Sequence, residues 1–175
     1  ANLPHYATWV SKLGPLANLA QALCKGFAGF ASERSLPKWK ASALASLVPQ
    51  SNGGDKREVV LFIDTFTNYF EPENAHAALK VLEAAGYTVH LPQARDSNRP
   101  LCCGRTFLAT GMVDKARAEA ERVIATLSPF IERGVPVVGL EPSCLLGMRD
   151  EFISMLSNPK TAELDLNAFL FEEFI

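Results

Sequence analysis

The 175-residue chain is 48% hydrophobic and 21% charged, fractions that exclude a disordered or low-complexity protein and allow one domain with a sizeable core. Lys plus Arg (17) nearly balances Asp plus Glu (19), which argues against a nucleic-acid-binding or anionic-membrane surface. Four cysteines, two of them adjacent, do not make a disulfide framework and point to a reducing compartment.

Trp9, Val10, Leu13, Leu16, Leu19, Leu23 and Phe27 recur at helical spacing and are interrupted by Gly14-Pro15, which predicts two short helices serving as an amphipathic wrapper. Ser35-Leu36-Pro37-Lys38-Trp39-Lys40 reads as a turn whose indole anchors onto a core. Pro49-Gln50-Ser51-Asn52-Gly53-Gly54-Asp55 reads as a polar linker. Val59 to Ile63 is continuously apolar, as in a strand buried on both faces. Pro72 suits a helix first turn, and Ala75, Ala78, Leu79 and Leu82 form one apolar face that ends at Gly86. Tyr87 to Leu91 is a second strand, followed by a long loop from Pro92 to about Gly111. Val113, Ala116, Ala120, Val123, Ile124, Leu127 and Ile131 mark a long helix closed by Gly134. Val135 to Leu140 is a third strand. Ser143 is placed to cap a helix running through Leu145, Met148, Phe152 and Met155, and a last helical stretch holds Leu164, Leu166, Phe169, Leu170 and Phe171.

Alternating buried-type strands and helices specify an α/β domain: a small parallel sheet flanked by helices, with an α-helical N-terminal segment. The predicted organisation is a helical connector over 1–50, a linker over 51–58 and the α/β domain over 59–175. Three strands make a narrow sheet, which a fourth element or another chain would complete. No apolar run approaches the ~20 residues of a membrane span, and the opening Ala1-Asn2-Leu3-Pro4-His5-Tyr6 lacks the basic start and apolar core of a signal peptide. The expected compartment is the cytoplasm, at most peripheral to the inner membrane.

Ligands of open parallel sheets bind beyond the carboxyl ends of the strands. Those ends deliver Asp64-Thr65 after the first strand, Cys102-Cys103-Gly104-Arg105 in the long loop, and Glu141-Pro142-Ser143-Cys144 after the third. Thiols gathered on one edge suggest zinc, an iron–sulfur cluster or redox chemistry. Gly104 would let backbone amides approach a sulfur closely. The competing reading is that these are small buried residues packing at the sheet edge. Asp64 would orient a ligand or cap the next turn. Arg105 would hold an anion or pair with Glu141. His5, His76 and His90 have no metal-ligand spacing, Gly53-Gly54 lacks the context of a phosphate loop, and Ser143 lacks a nucleophile elbow.

Between Leu61 and Phe152 the chain resembles the cysteine-rich "CCG" domain family of heterodisulfide reductase, the glycolate oxidase iron–sulfur subunit and anaerobic glycerol-3-phosphate dehydrogenase subunits. The resemblance is carried by Phe70-Glu71-Pro72-Glu73-Asn74-Ala75, Leu82-Glu83-Ala84-Ala85-Gly86-Tyr87, Leu101-Cys102-Cys103-Gly104-Arg105, Gly111, Asp114-Lys115-Ala116 and Glu141-Pro142-Ser143-Cys144, in that order. It is greatest to the C-terminal region of bacterial FAD-linked oxidoreductases like D-lactate and D-2-hydroxyglutarate dehydrogenases. The resemblance implies a segment of a longer enzyme that oxidises a 2-hydroxy acid, in its electron-transfer region and inactive by itself. It implies FAD on another part of the polypeptide, flavin and ferredoxin-like domains as partners, and a second cysteine-rich repeat. It implies Cys102, Cys103, Gly104 and Cys144 as residues around an iron–sulfur cluster, with the three cysteines as metal ligands. The departures are Asp64-Thr65, where the family places a cysteine after the first strand, and Gly147, where a second cysteine often follows Cys144. A cluster would then need a donor from elsewhere, and a cluster-free docking module is the alternative.

Overall fold

A computed structural model describes residues 2–27, 29–31, 33–49, 57–94 and 99–175; the Gly53-Gly54 linker lies outside them. The elements in chain order are α1 (Leu3–Cys24), α2 (Ala43–Ser46), β1 (Glu58–Phe62), α3 (Thr65–Tyr69), α4 (Pro72–Ala84), β2 (Thr88–His90) and α5 (Arg105–Leu108). They continue with α6 (Val113–Ile131), β3 (Val137–Gly139), α7 (Pro142–Arg149), α8 (Glu151–Met155), α9 (Lys160–Asn167), β4 (Ala168–Leu170) and α10 (Phe171–Phe174).

The described strands form one parallel sheet in the order β2-β1-β3-β4. Alternation along β1 divides the core. Val60 and Phe62 pack with Ala120, Val123, Ile124 and Leu127 of α6 and with Leu145 and Met148 of α7. Val59, Leu61 and Ile63 pack with Ala75, Ala78, Leu79 and Leu82 of α4. The strand buries both faces because helices cover both, which is why its sequence is apolar without a break. Order reverses between β1 and β3: from β1 the chain crosses to β2 on one side, then returns to β3 on the other. The carboxyl ends of these two central strands therefore open a crevice.

Several expectations need correction. The Phe169-Leu170 stretch is not helical throughout, because Ala168, Phe169 and Leu170 pair with Val137, Val138 and Gly139 as the fourth strand. The otherwise open edge of β3 supplies hydrogen bonds that local helical periodicity does not register. The long loop contains α5, whose first turn closes when the N–H groups of Phe107 and Leu108 donate to the Gly104 carbonyl. The helix after β3 begins at Pro142, with Glu141 and not Ser143 as its cap. Proline suits the first helical position, so the capping residue is the one before it.

The N-terminal segment is kinked where Gly14 takes φ +37° beside Pro15. Its outward face differs from expectation: Trp9, Leu13, Leu16, Leu19, Leu23 and Phe27 are exposed, and the buried residues of α1 are Pro4, Ala7 and Ser11. Small residues allow the close approach that the bulky apolar ones do not. Trp39 is buried as expected, with its ring 4.6 Å from Phe70 and 6.5 Å from Tyr69 between centroids. Asn18 brackets its backbone, accepting from Trp39 N at 2.7 Å and donating to Trp39 O at 3.0 Å. A bond of 2.8 Å between Thr8 and the Tyr69 hydroxyl adds a second tie. The N-terminal segment is thereby fastened to the turn that follows β1.

Candidate functional site

Three turns meet at the crevice, each set by its own local chemistry. After β1, Asp64 caps α3: its carboxylate accepts from Phe66 N at 2.7 Å and Thr67 N at 3.1 Å, and also from the Thr67 hydroxyl. Asp64 is thus a capping acid, and Thr65 follows it, buried at the crevice floor. Asn68 extends this turn, its side-chain oxygen accepting from Ser42 Oγ and Leu44 N, both at 2.9 Å.

The second turn carries the adjacent cysteines. Arg99 donates to the buried Glu119 at 2.7 and 3.0 Å, and Arg122 donates to the same carboxylate at 2.8 Å, tying the approach of the loop to α6. Leu101 is buried, and Gly104 closes the turn at φ +77°. A Cβ on Gly104 would lie 2.9 Å from the Ala116 carbonyl oxygen, so the loop backbone lies directly against α6. Arg105 pairs with Glu151 and not with Glu141. After β3, the Glu141 carboxylate accepts from Cys144 N at 2.7 Å and from Ser143 Oγ at 2.6 Å, which fixes Cys144 in the first turn of α7.

Cys103 and Cys144 consequently meet, with their sulfurs 2.8 Å apart. Cys102 accepts a hydrogen bond from Gly104 N at 3.4 Å and bonds with the Thr65 hydroxyl. All three thiols, together with Thr65, line one open cavity of about 650 Å³. Leu3, Pro4, Pro37 and Phe70 wall its other side, a role for the N-terminal segment that its helical periodicity gave no sign of. Cys24 is exposed on the N-terminal segment and is no part of this group.

The field inside the crevice favours neutral sulfur. Contact with Cys103, then burial, pushes the Cys102 thiol far above the ordinary value. At Cys103 the hydrogen bond with Cys102 pulls down, yet Cys144 contact and burial outweigh it and leave the thiol well above that value. At Cys144 the bond with Cys103 also pulls down, and burial with the carboxylates of Asp64 and Glu141 prevails, raising it. Burial raises the Asp64 carboxyl too, against the hydrogen bonds it accepts. Arg105 lines the same cavity, but its charge is engaged by Glu151. Each of the three thiols is thereby pushed toward its neutral form.

These donors do not by themselves fit a four-thiolate cluster. Thr65 offers a hydroxyl, a poor ligand for iron–sulfur chemistry, on the turn nearest Cys102. Two thiolates on one tetrahedral metal at ~2.3 Å stand roughly 3.8 Å apart, wider than the 2.8 Å between Cys103 and Cys144. Among the described residues no three His, Cys, Asp or Glu side chains are arranged to hold a metal ion. Gly147 stands three residues after Cys144, and a Cβ there would come 3.2 Å from the Glu151 carboxylate that pairs with Arg105.

No family model matches the chain, and no solved structure does. Curated proteins do. A subunit of the anaerobic glycerol-3-phosphate dehydrogenase of Escherichia coli K12 is 28% identical over 151 residues, covering 84% of this chain and 36% of that protein. D-2-hydroxyglutarate dehydrogenase of Pantoea ananatis is 27% identical over 120 residues, covering 68% of this chain and 11% of the relative. The enzyme of the same name from Pseudomonas putida is 30% identical over 110 residues, covering 63% and 10%. The chain thus spans little more than a third of the first and about a tenth of the other two. Its relatives are larger dehydrogenases or parts of them, consistent with an oxidoreductase-associated segment. Among the described residues no helix is long and apolar enough to cross a membrane.

Proposed function

We propose that this chain is a cysteine-rich segment of a larger FAD-linked oxidoreductase that acts on a 2-hydroxy acid, and that it belongs to the electron-transfer region of that enzyme. The observation that carries the reading is the convergence of Cys102, Cys103 and Cys144 in one cavity at the reversal point of the sheet. The reading has further support in the names of the relatives, which are dehydrogenases. The flavin and the ferredoxin-like domain belong to other parts of the polypeptide. Gly104 and the three cysteines are the residues available to an iron–sulfur cluster, and the missing donor falls to a second cysteine-rich repeat outside these residues. The exposed stripe of Trp9, Leu13, Leu16 and Leu23 agrees with a neighbouring domain lying against α1.

A second reading, a docking module without a cluster, is favoured by one specific observation: the cavity holds three thiols, and the turn after β1 brings the hydroxyl of Thr65 to it in place of a fourth. The two readings separate in the longer enzyme. Under the electron-transfer reading, Cys102→Ser leaves flavin reduction by the 2-hydroxy acid unchanged and abolishes electron delivery to an external acceptor dye, measured by stopped-flow absorbance. Unimpaired delivery to the dye would select the docking module.

A further inference from the structure

We propose that Cys103 and Cys144 are a redox-active pair that closes to a reversible disulfide on reaction with a small hydroperoxide admitted through the crevice. The proposal rests on the placement of the sulfurs and on the cluster-free docking reading, because a cluster would occupy both thiols. Their 2.8 Å separation leaves no room for a third atom between them. Closing to the ~2.05 Å of a disulfide asks for a further approach of only about 0.8 Å. The two side chains come from different elements, the turn before α5 and the first turn of α7, so a bond would join the cysteine loop to the β3–α7 connection. Both thiols line the cavity, which a molecule as small as hydrogen peroxide can enter.

Cys102 is the competitor and is disfavoured. Its sulfur touches Cys103 as well, and accepts from the Gly104 N–H at 3.4 Å. A bond between adjacent cysteines would also have to close a strained ring across one planar peptide.

The chemistry balances in two steps. One thiol gives up its proton and its sulfur, as the thiolate, attacks a peroxide oxygen; the O–O bond breaks, a sulfenic acid forms, and the other oxygen takes up the released proton and leaves as water. The second thiol then attacks the sulfenic sulfur. The S–S bond forms, the S–O bond breaks, and the hydroxyl leaves with the second thiol proton as another molecule of water. In total two thiols lose two electrons and two protons, and one peroxide becomes two waters. A small dithiol reverses the change by thiol–disulfide exchange.

The test treats the reduced 175-residue protein with hydrogen peroxide under argon, blocks remaining thiols with iodoacetamide, and maps the products by peptide mass spectrometry. The expected result is a loss of two hydrogens and a Cys103–Cys144 cross-link, formed equally in Cys102→Ser and absent from Cys103→Ser and Cys144→Ser. The cross-link closes a long loop, so the thermal midpoint is expected to rise by about 10 °C on oxidation and to fall back with dithiothreitol. A cross-link through Cys102, accumulation of sulfinic acid in place of a disulfide, or no oxidation of the folded protein would overturn the proposal. The wild-type cross-link map is decisive even if a serine variant fails to fold.

Discussion

Gly104→Ala is expected to destabilise the protein by about 3 kcal/mol, measured as a lowered midpoint in urea at unchanged slope. Two costs combine. The backbone of Gly104 stands at φ +77°, a region disfavoured for a residue with a side chain. The added methyl would also come within 2.9 Å of the Ala116 carbonyl oxygen and 3.2 Å of the Ala116 Cα. Both are backbone atoms of α6, a helix pinned by the packing of Val123, Ile124 and Leu127 against β1, so the neighbour does not give way. The loop must then lift, carrying Cys102 and Cys103 away from Cys144. A change below about 1 kcal/mol would mean that the cysteine turn is not held against α6 as described.

Trp39→Ala carries the other large effect, a loss of about 4 kcal/mol, by the precedent of large aromatic-to-alanine changes in packed sites. The indole fills the space between α1 and the turn after β1, tilted against the rings of Phe70 and Tyr69. Its ring nitrogen donates to the Gln21 side chain at 3.2 Å, so truncation also removes that hydrogen bond. Because Leu3, Pro4 and Pro37 wall the thiol cavity, the same substitution is expected to speed alkylation of Cys102, Cys103 and Cys144 by iodoacetamide. A thermal midpoint within a degree or so of wild type would show that the N-terminal segment is independent of the α/β core, since even 1 kcal/mol moves it by roughly 2–4 °C.

The parts of the fold that rest on strong periodicity were legible in the residues. The apolar run at Val59 to Ile63 and the face of Val113 to Ile131 each have one physical solution. Pro15 beside Gly14 marks the kink. What escaped has a common cause: it depends on a partner distant in the chain. β4 exists because β3 needs an edge partner, and its residues are equally suited to a helix. The exposed face of α1 carries its most apolar residues, so hydrophobicity alone selects the wrong side for burial. Pairing of Arg105 with Glu151 joins residues 46 positions apart, which no spacing encodes. At the site, strand ends predict which turns face one another. They do not predict that Cys103 lies between Cys102 and Cys144, in contact with both, while Cys102 also accepts from Gly104. That arrangement arises from the left-handed turn at Gly104 and from the Glu141 carboxylate that fixes the first turn of α7.

Whether Thr65, in place of a thiol, keeps the three cysteines free of iron is tested most directly by reconstitution with iron and sulfide under argon. The measured quantities are iron, acid-labile sulfide and visible absorption after gel filtration, for wild type and Thr65→Cys. The account predicts wild-type protein that emerges folded and free of iron. It predicts Thr65→Cys protein with stoichiometric iron and a charge-transfer band that disappears when Cys102→Ser is added. Stoichiometric iron in the wild type with a band lost in Cys102→Ser, or a Thr65→Cys protein that remains free of iron, would contradict it.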